Sequence, residues 1–109
     1  MFQGIVKLAG VTYGNEDRQM NIKAFGCEGI GSFALVREPH NSSDPNAIRV
    51  EVAGHLLGYI PRTHAKDLAP LMDAGRRFIA YFVCLNTHPF HGTVGLTVRI
   101  EEYPCQKAA

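Results

Sequence analysis

The sequence predicts a mainly β fold: a small OB-like or SH3-like β-barrel of about six strands with a short helical insert over about residues 61–75. Two observations carry this. Apolar and polar residues alternate with period two through most of the chain, as in strands with one covered face. Only one stretch has helical spacing instead. With 109 residues and no repeat, charge block or low-complexity segment, the chain reads as a single domain, 1–109, with its core over about 3–103 and a short C-terminal tail. Short strands leave bare edges, and closing the sheet on itself removes them, which favours a barrel over an open sheet.

The elements follow in order. "FQGIVKL" and "SFALVRE" read as short strands. In "AIRVEV", Ile48, Val50 and Val52 point one way while Arg49 and Glu51 point the other. "HLLGYIP" completes a hairpin with this run, turning at Ala53-Gly54-His55. From Pro61 to Gly75, Ala65, Leu68, Leu71 and Met72 form a helical stripe, and Gly75 suits the residue just past a helix end. Pro70 removes a backbone donor inside that span, so the expectation is a kink or two short pieces. "FIAYFVCLN" is apolar on both sides and suits a central strand covered on each face. Val94, Leu96, Val98 and Ile100 give the last strand one apolar face.

Composition narrows function without choosing it. Lysine and arginine number 11 against 10 acidic residues, a formal charge of +1, which excludes a polybasic binder and leaves only a local patch for an anionic ligand. Cys27, Cys84 and Cys105 are scattered and contain no CxxC pair, which suits reduced thiols rather than a disulfide framework. No apolar run approaches the ~18 residues of a membrane span, and "MFQGIVKLAG" is too short and broken for a secretory signal. The expected setting is the cytoplasm, away from membranes.

Catalytic readings find little support. There is no GxxxxGK(S/T) loop, and neither Cys27 nor Ser42 and Ser43 has an evident base. Cys84, His88 and His91 in "CLNTHPFH" have the types for a three-ligand zinc site. That reading is set aside, because Cys84 is expected on a buried strand and no HExxH supports it. The segment is read as a polar hairpin loop. The chain is expected to be neither an enzyme nor a binder of metal or cofactor.

The loop "EPHNSSDPNA" is the densest cluster of polar residues. Asn41 and Asp44 can each accept a hydrogen bond from a backbone N–H two residues on, and Asp44-Pro45-Asn46 has the residues of a tight turn. Local chemistry takes the loop no further than a well-made turn.

The run "VREPHNSSDPNAIRV", followed by "LGYIPRTHAKDLAPLMDAG", resembles the HIRAN domain. That family's pattern is Arg-(Asp/Glu)-Pro-x-N-x-x-D-x-N-A-(Ile/Val)-x-V, then G-(Tyr/His)-(Ile/Leu)-P-(Arg/Lys) leading a helix. Upstream, "GVTYGNEDRQ" is similar to the family's first segment, and the likeness spans about residues 3–100. The resemblance implies a barrel related to the OB fold. In helicase-like repair proteins such domains bind single-stranded DNA and hold its 3′ end. The partners it implies are therefore a single-stranded DNA 3′ end and a separately encoded helicase or nuclease.

Carried over residue by residue, Tyr13 falls on an aromatic that packs on a terminal base, Asn41 on an amide lining the pocket and Asp44 on its acid. An ionised carboxylate accepts a hydrogen bond from a free 3′-hydroxyl and disfavours a phosphate there. Tyr59 matches the Tyr-or-His position before the helix and Arg62 the Arg-or-Lys position, with Lys66 one turn on. At a helix N-terminus, Arg62 would meet a phosphate beside orphan N–H groups. Arg37 and Arg49 flank the loop, and a structural ion pair with Glu38 or Glu51 explains them as well as a role at the site does.

Two positions depart from the DNA-end-binding form. Thr12 stands where that form has a basic residue, and Ser43 where it has an aromatic. Two classes therefore stay open: a nucleic-acid module with Tyr13, Tyr59 and Arg62 exposed around Asp44, or a protein-interaction adaptor in which these residues are packed or paired. The nucleic-acid module is the expectation adopted.

Overall fold

The computed structural model describes residues 4–9, 22–23, 31–88 and 91–103, and over these the alternating runs become six antiparallel strands and a helix of twelve residues, with residues 22–23 also helical. In chain order these are β1 (Gly4–Lys7), β2 (Ser32–Arg37), β3 (Ile48–Val52), β4 (His55–Tyr59), α1 (Arg62–Asp73), β5 (Arg77–His88) and β6 (His91–Tyr103). The sheet order is β1-β6-β5-β2-β3-β4, with every pairing antiparallel. Curled into a half-barrel, the sheet brings its two edges together just past β1. There the Ala9 N–H donates to Tyr59 O at 2.7 Å and the Tyr59 N–H to Ala9 O at 2.8 Å. Closure rests on that single bridge among the described residues, and it fixes the backbone of Tyr59.

The inward residues are those the alternation picks out. Ile48, Val50, Leu96, Val98 and Ile100 are fully buried, together with Leu57, Phe33 and Ile22. Val52 and Val94 are partly buried against the same core. The helix lays Ala65, Leu68 and Ala69 onto this core, with Leu71 and Met72 at its margin. At about 25 cal/mol per Å² of apolar area, burial of such side chains is the main stabilising term.

β3 and β4 are joined by Ala53 and Gly54, whose φ values of +49° and +81° are the paired positive values of a two-residue type I′ hairpin. The end of α1 depends on the same left-handed region. The Arg76 N–H reaches Leu71 O at 3.1 Å and the Gly75 N–H reaches Met72 O at 3.0 Å, the two bonds of a Schellman motif. Gly75 supplies its φ of +96°. A β-carbon there would meet nothing within 4 Å, so the cost of adding one lies in the backbone alone. Gly75→Ala is expected to lower stability by about 1 kcal/mol, read as a lower urea midpoint at constant slope, and Gly75→Asn by less.

Two sequence expectations are corrected. Pro70 neither splits nor ends the helix, which runs unbroken from Arg62 to Asp73. The proline lies in the last turn, so few backbone bonds follow it, and the burial of Leu68 and Ala69 beside it holds the segment to the core. β5 is not covered on both faces, for Val83, Cys84 and Leu85 are exposed. Its ladder to β2 reaches only Ile79–Tyr81, and a register shift between Phe82 and Cys84 turns the strand just beyond.

Candidate nucleic-acid interface

The loop between β2 and β3 is built as its residue types suggest. Asn41 Oδ1 accepts from the Ser43 N–H at 2.9 Å and the Asp44 N–H at 3.1 Å, while Asp44 Oδ1 accepts from the Asn46 N–H at 2.9 Å. Both Asx turns are present. They use one oxygen of Asp44 and leave the other. Oδ2 faces Arg62, whose Nε lies 3.9 Å away.

Arg62 is the first residue of α1, after Pro61, whose extended ψ of 145° sets the helix entry without a side-chain cap. The carbonyl of Pro61 already receives the N–H groups of His64 and Ala65. The N–H groups of Arg62 and Thr63 come before the first helical bond, as in any α-helix. Arg62 Nη2 donates to Ser43 O at 3.1 Å, yet its side chain is 75% exposed, so most of the guanidinium faces solvent. Lys66, one turn on, is exposed as well. The Asp44 side chain is 19% exposed, recessed between the turn and this arginine. A recessed carboxylate oxygen beside an exposed cation at a helix start can take a hydroxyl and a phosphate next to each other.

Glu38 joins the rest of the cluster, a role beyond the arginine ion pair that the sequence offers for it. Tyr59 donates its hydroxyl to Glu38, with Oε1 at 3.0 Å and Oε2 at 3.1 Å, and Asn41 Nδ2 donates to Oε1 at 2.9 Å. Arg49 Nη1 lies 3.5 Å from Glu38 Oε2 and Arg49 Nε 2.7 Å from Glu51 Oε2, the ion pairs expected for that arginine. The Arg49 Nε–H is angled away from a true hydrogen bond in that contact. Asn41 and Tyr59 therefore shape the site with polar groups already engaged inside the protein. Tyr59 is half-buried rather than exposed. Only the acid of the Arg-Glu-Pro run hinted at Glu38, because its partner Tyr59 lies 21 residues further on.

Arg37 also departs from the ion pair considered for it. It pairs neither with Glu38 nor with Glu51. Its Nη1 and Nη2 donate to the carbonyls of Ala47 at 2.8 Å and Pro45 at 2.9 Å, and its Nε to Asp73 Oδ1 at 2.9 Å. The side chain is 13% exposed and ties the loop's far end to the end of α1. Its guanidinium holds the Asp73 carboxyl below the usual aspartate range.

Four of the six expected site residues, Asn41, Asp44, Tyr59 and Arg62, are thus held together through Glu38 and the loop. Lys66, exposed one turn along, extends the charged face. Tyr13 lies outside the described residues, as does Thr12. For the metal reading, Cys84 is exposed where a buried strand was expected. Its described neighbour is the Asn86 amide, 3.9 Å from the sulfur.

Comparison with known proteins decides the lineage. The HIRAN domain model matches residues 2–102. The chain belongs to the HIRAN domain family. HIRAN domains are DNA-binding modules of repair proteins and are not themselves catalytic. The HIRAN chain matches a Fanconi-associated nuclease 1 homolog of Oryza sativa subsp. japonica at 52% identity over 46 residues, which is 38% of this chain and 5% of that protein. It thus spans about a twentieth of that relative. A crystal structure of a Lactobacillus plantarum protein matches with TM-score 0.65 and 27% identity, over 92% of this chain and 99% of the other. The crystal structure of the HIRAN domain of human HLTF matches with TM-score 0.63 and 21% identity, over 92% of this chain and 74% of that one, a likeness of fold.

Proposed function

We propose that this HIRAN domain is a non-catalytic module that binds single-stranded DNA and holds its 3′ end, with Asp44 receiving the terminal hydroxyl and Arg62 the adjacent phosphate. The observation that carries this is the division of labour at Asp44. Oδ1 is used by the turn, while Oδ2 faces, among the described residues, an arginine 3.9 Å away that is itself largely in solvent. A carboxylate that served the turn alone would have no need of that cation. Lys66 adds charge one turn along, toward the next phosphate. Tyr13 is assigned to the terminal base, where stacking on an aromatic contributes about 1–3 kcal/mol. The module serves a helicase or nuclease as its recognition part, a role consistent with the nuclease homologue among its relatives.

A second reading, a protein-interaction adaptor, draws on the engagement of Asn41 and Tyr59 by Glu38. The two readings part on salt dependence. The logarithm of the affinity for a labelled ten-nucleotide strand should fall linearly with the logarithm of salt concentration. Arg62→Ala should lower that slope by about 0.7, the share of one phosphate contact on a single strand, and Lys66→Ala should do the same. A slope that neither substitution changes, or no binding even at low salt, removes the DNA reading and leaves the adaptor.

A further inference from the structure

β2 and β5 fork. β2 continues to Arg37 and β5 starts at Arg77, but their pairing covers only Ser32–Ala34 against Ile79–Tyr81. Beyond Ala34 the two strands diverge, and the end of α1 closes the base of the gap. The gap is an open groove of about 450 Å³ lined by Leu35, Met72, Phe78 and Ile79. Arg77 and Tyr103, register partners across β5 and β6, both belong to its lining. Tyr103 is 46% exposed.

The charges of the groove are unequal in their commitments. Arg37 is held by Asp73 and the loop carbonyls. Arg76 grips Glu102 with two hydrogen bonds, of 2.8 Å and 2.6 Å, and lies 5.8 Å over the Phe78 ring. Those bonds hold the Glu102 carboxyl below its usual range. Arg77 is exposed and has no ion pair among the described residues. Among the described residues the groove thus presents an apolar floor and one positive charge without an ion pair.

We propose that this groove docks a short extended segment of a partner protein, one that carries a bulky apolar side chain next to a carboxylate. Charge complementarity selects that occupant. Nucleic acid repeats its charge at every nucleotide and gains affinity with each cation neutralised, so one free arginine suits a single carboxylate far better. The floor suits an aliphatic or aromatic anchor. The length of β2 left without its β5 partner gives an extended backbone an edge to lie along. The groove lies at the C-terminal end of α1 and the Asp44–Arg62 pair at its N-terminal end. A helix of 12 residues separates them by about 18 Å, so both can be occupied at once. The docking site is independent of the DNA reading; the further role of joining a strand end to a partner protein rests on both.

Titration of the isotope-labelled full chain with an acetylated, amidated hexapeptide containing adjacent leucine and aspartate, flanked by serine and glycine, tests this by amide shift mapping. Shifts are expected at Leu35, Arg77, Phe78 and Tyr103. They should weaken at least tenfold when lysine replaces the peptide aspartate, and similarly for Arg77→Glu, while Arg62→Ala leaves them unchanged. The amides of the buried strands report that each variant is folded, and Arg77→Gln gives a milder check. Absence of shifts at millimolar peptide overturns the proposal, as does indifference to Arg77→Glu. Preferential movement of these amides by a short oligothymidylate overturns it too, in favour of nucleic acid.

Discussion

Arg37→Ala is expected to destabilise the protein by about 2 kcal/mol and to weaken DNA binding with it. The guanidinium donates to two loop carbonyls, and charged hydrogen bonds of this kind contribute about 1.5–3 kcal/mol each before relaxation of the loop. Ala47 O keeps a second donor, the Glu38 N–H at 2.9 Å, which softens the loss. Arg37→Lys should recover less than half of it, because an ammonium cannot span both carbonyls and Asp73. Urea unfolding of the three proteins reads the difference directly. The acid limb should change too. Asp73 has a depressed pKa in the folded state, so it contributes stability above its unfolded pKa that is lost as pH falls through the folded value. Without Arg37 that contribution disappears, and the variant's stability falls less steeply over the most acidic part of the range. The limb from Glu102, likewise depressed by Arg76, remains.

Binding of a 3′-phosphorylated strand is expected to be at least tenfold weaker than that of the same strand ending in a hydroxyl. A hydroxyl donates to Asp44 Oδ2, whereas a phosphate brings a second negative charge to a recessed carboxylate. Tenfold is about 1.4 kcal/mol, well within the repulsion of two charges ~5 Å apart near a protein surface. Asp44→Asn is the informative substitution. Its side-chain oxygen can still accept the Asn46 N–H, so the turn survives while the charge goes. Asp44→Ala would confound the two by releasing the loop.

Local chemistry was the legible part of this molecule. Period-two alternation located the strands and their buried faces, because burial on one side of a sheet leaves that trace in any single sequence. The Asx turns at Asn41 and Asp44 and the glycine after α1 were legible for the same reason, each being satisfied within a few residues. What escaped was set by distance along the chain. Arg37 and Asp73 are 36 residues apart and meet only because the fold brings the end of α1 back to the end of β2. Glu38 gathers Tyr59 and Asn41 from two elements, so an acid that reads locally as a turn residue becomes the centre of the site's scaffold. Pro70 is tolerated and β5 partly bared for a similar reason, since packing and register decide both. The family resemblance brought Asp44 and Arg62 together before the fold did; geometry then divided their neighbours into those that hold the loop and those that face outward.

The most direct test of the central claim is fluorescence anisotropy of a labelled ten-nucleotide DNA strand, with a 3′-hydroxyl or a 3′-phosphate, against the natural protein and Asp44→Asn at low salt. The account predicts at least tenfold preference for the hydroxyl end in the natural protein and near-equal binding of both strands by Asp44→Asn. Equal binding of the two strands by the natural protein, or a preference that Asp44→Asn leaves intact, would contradict the assignment of Asp44 as the reader of the strand end.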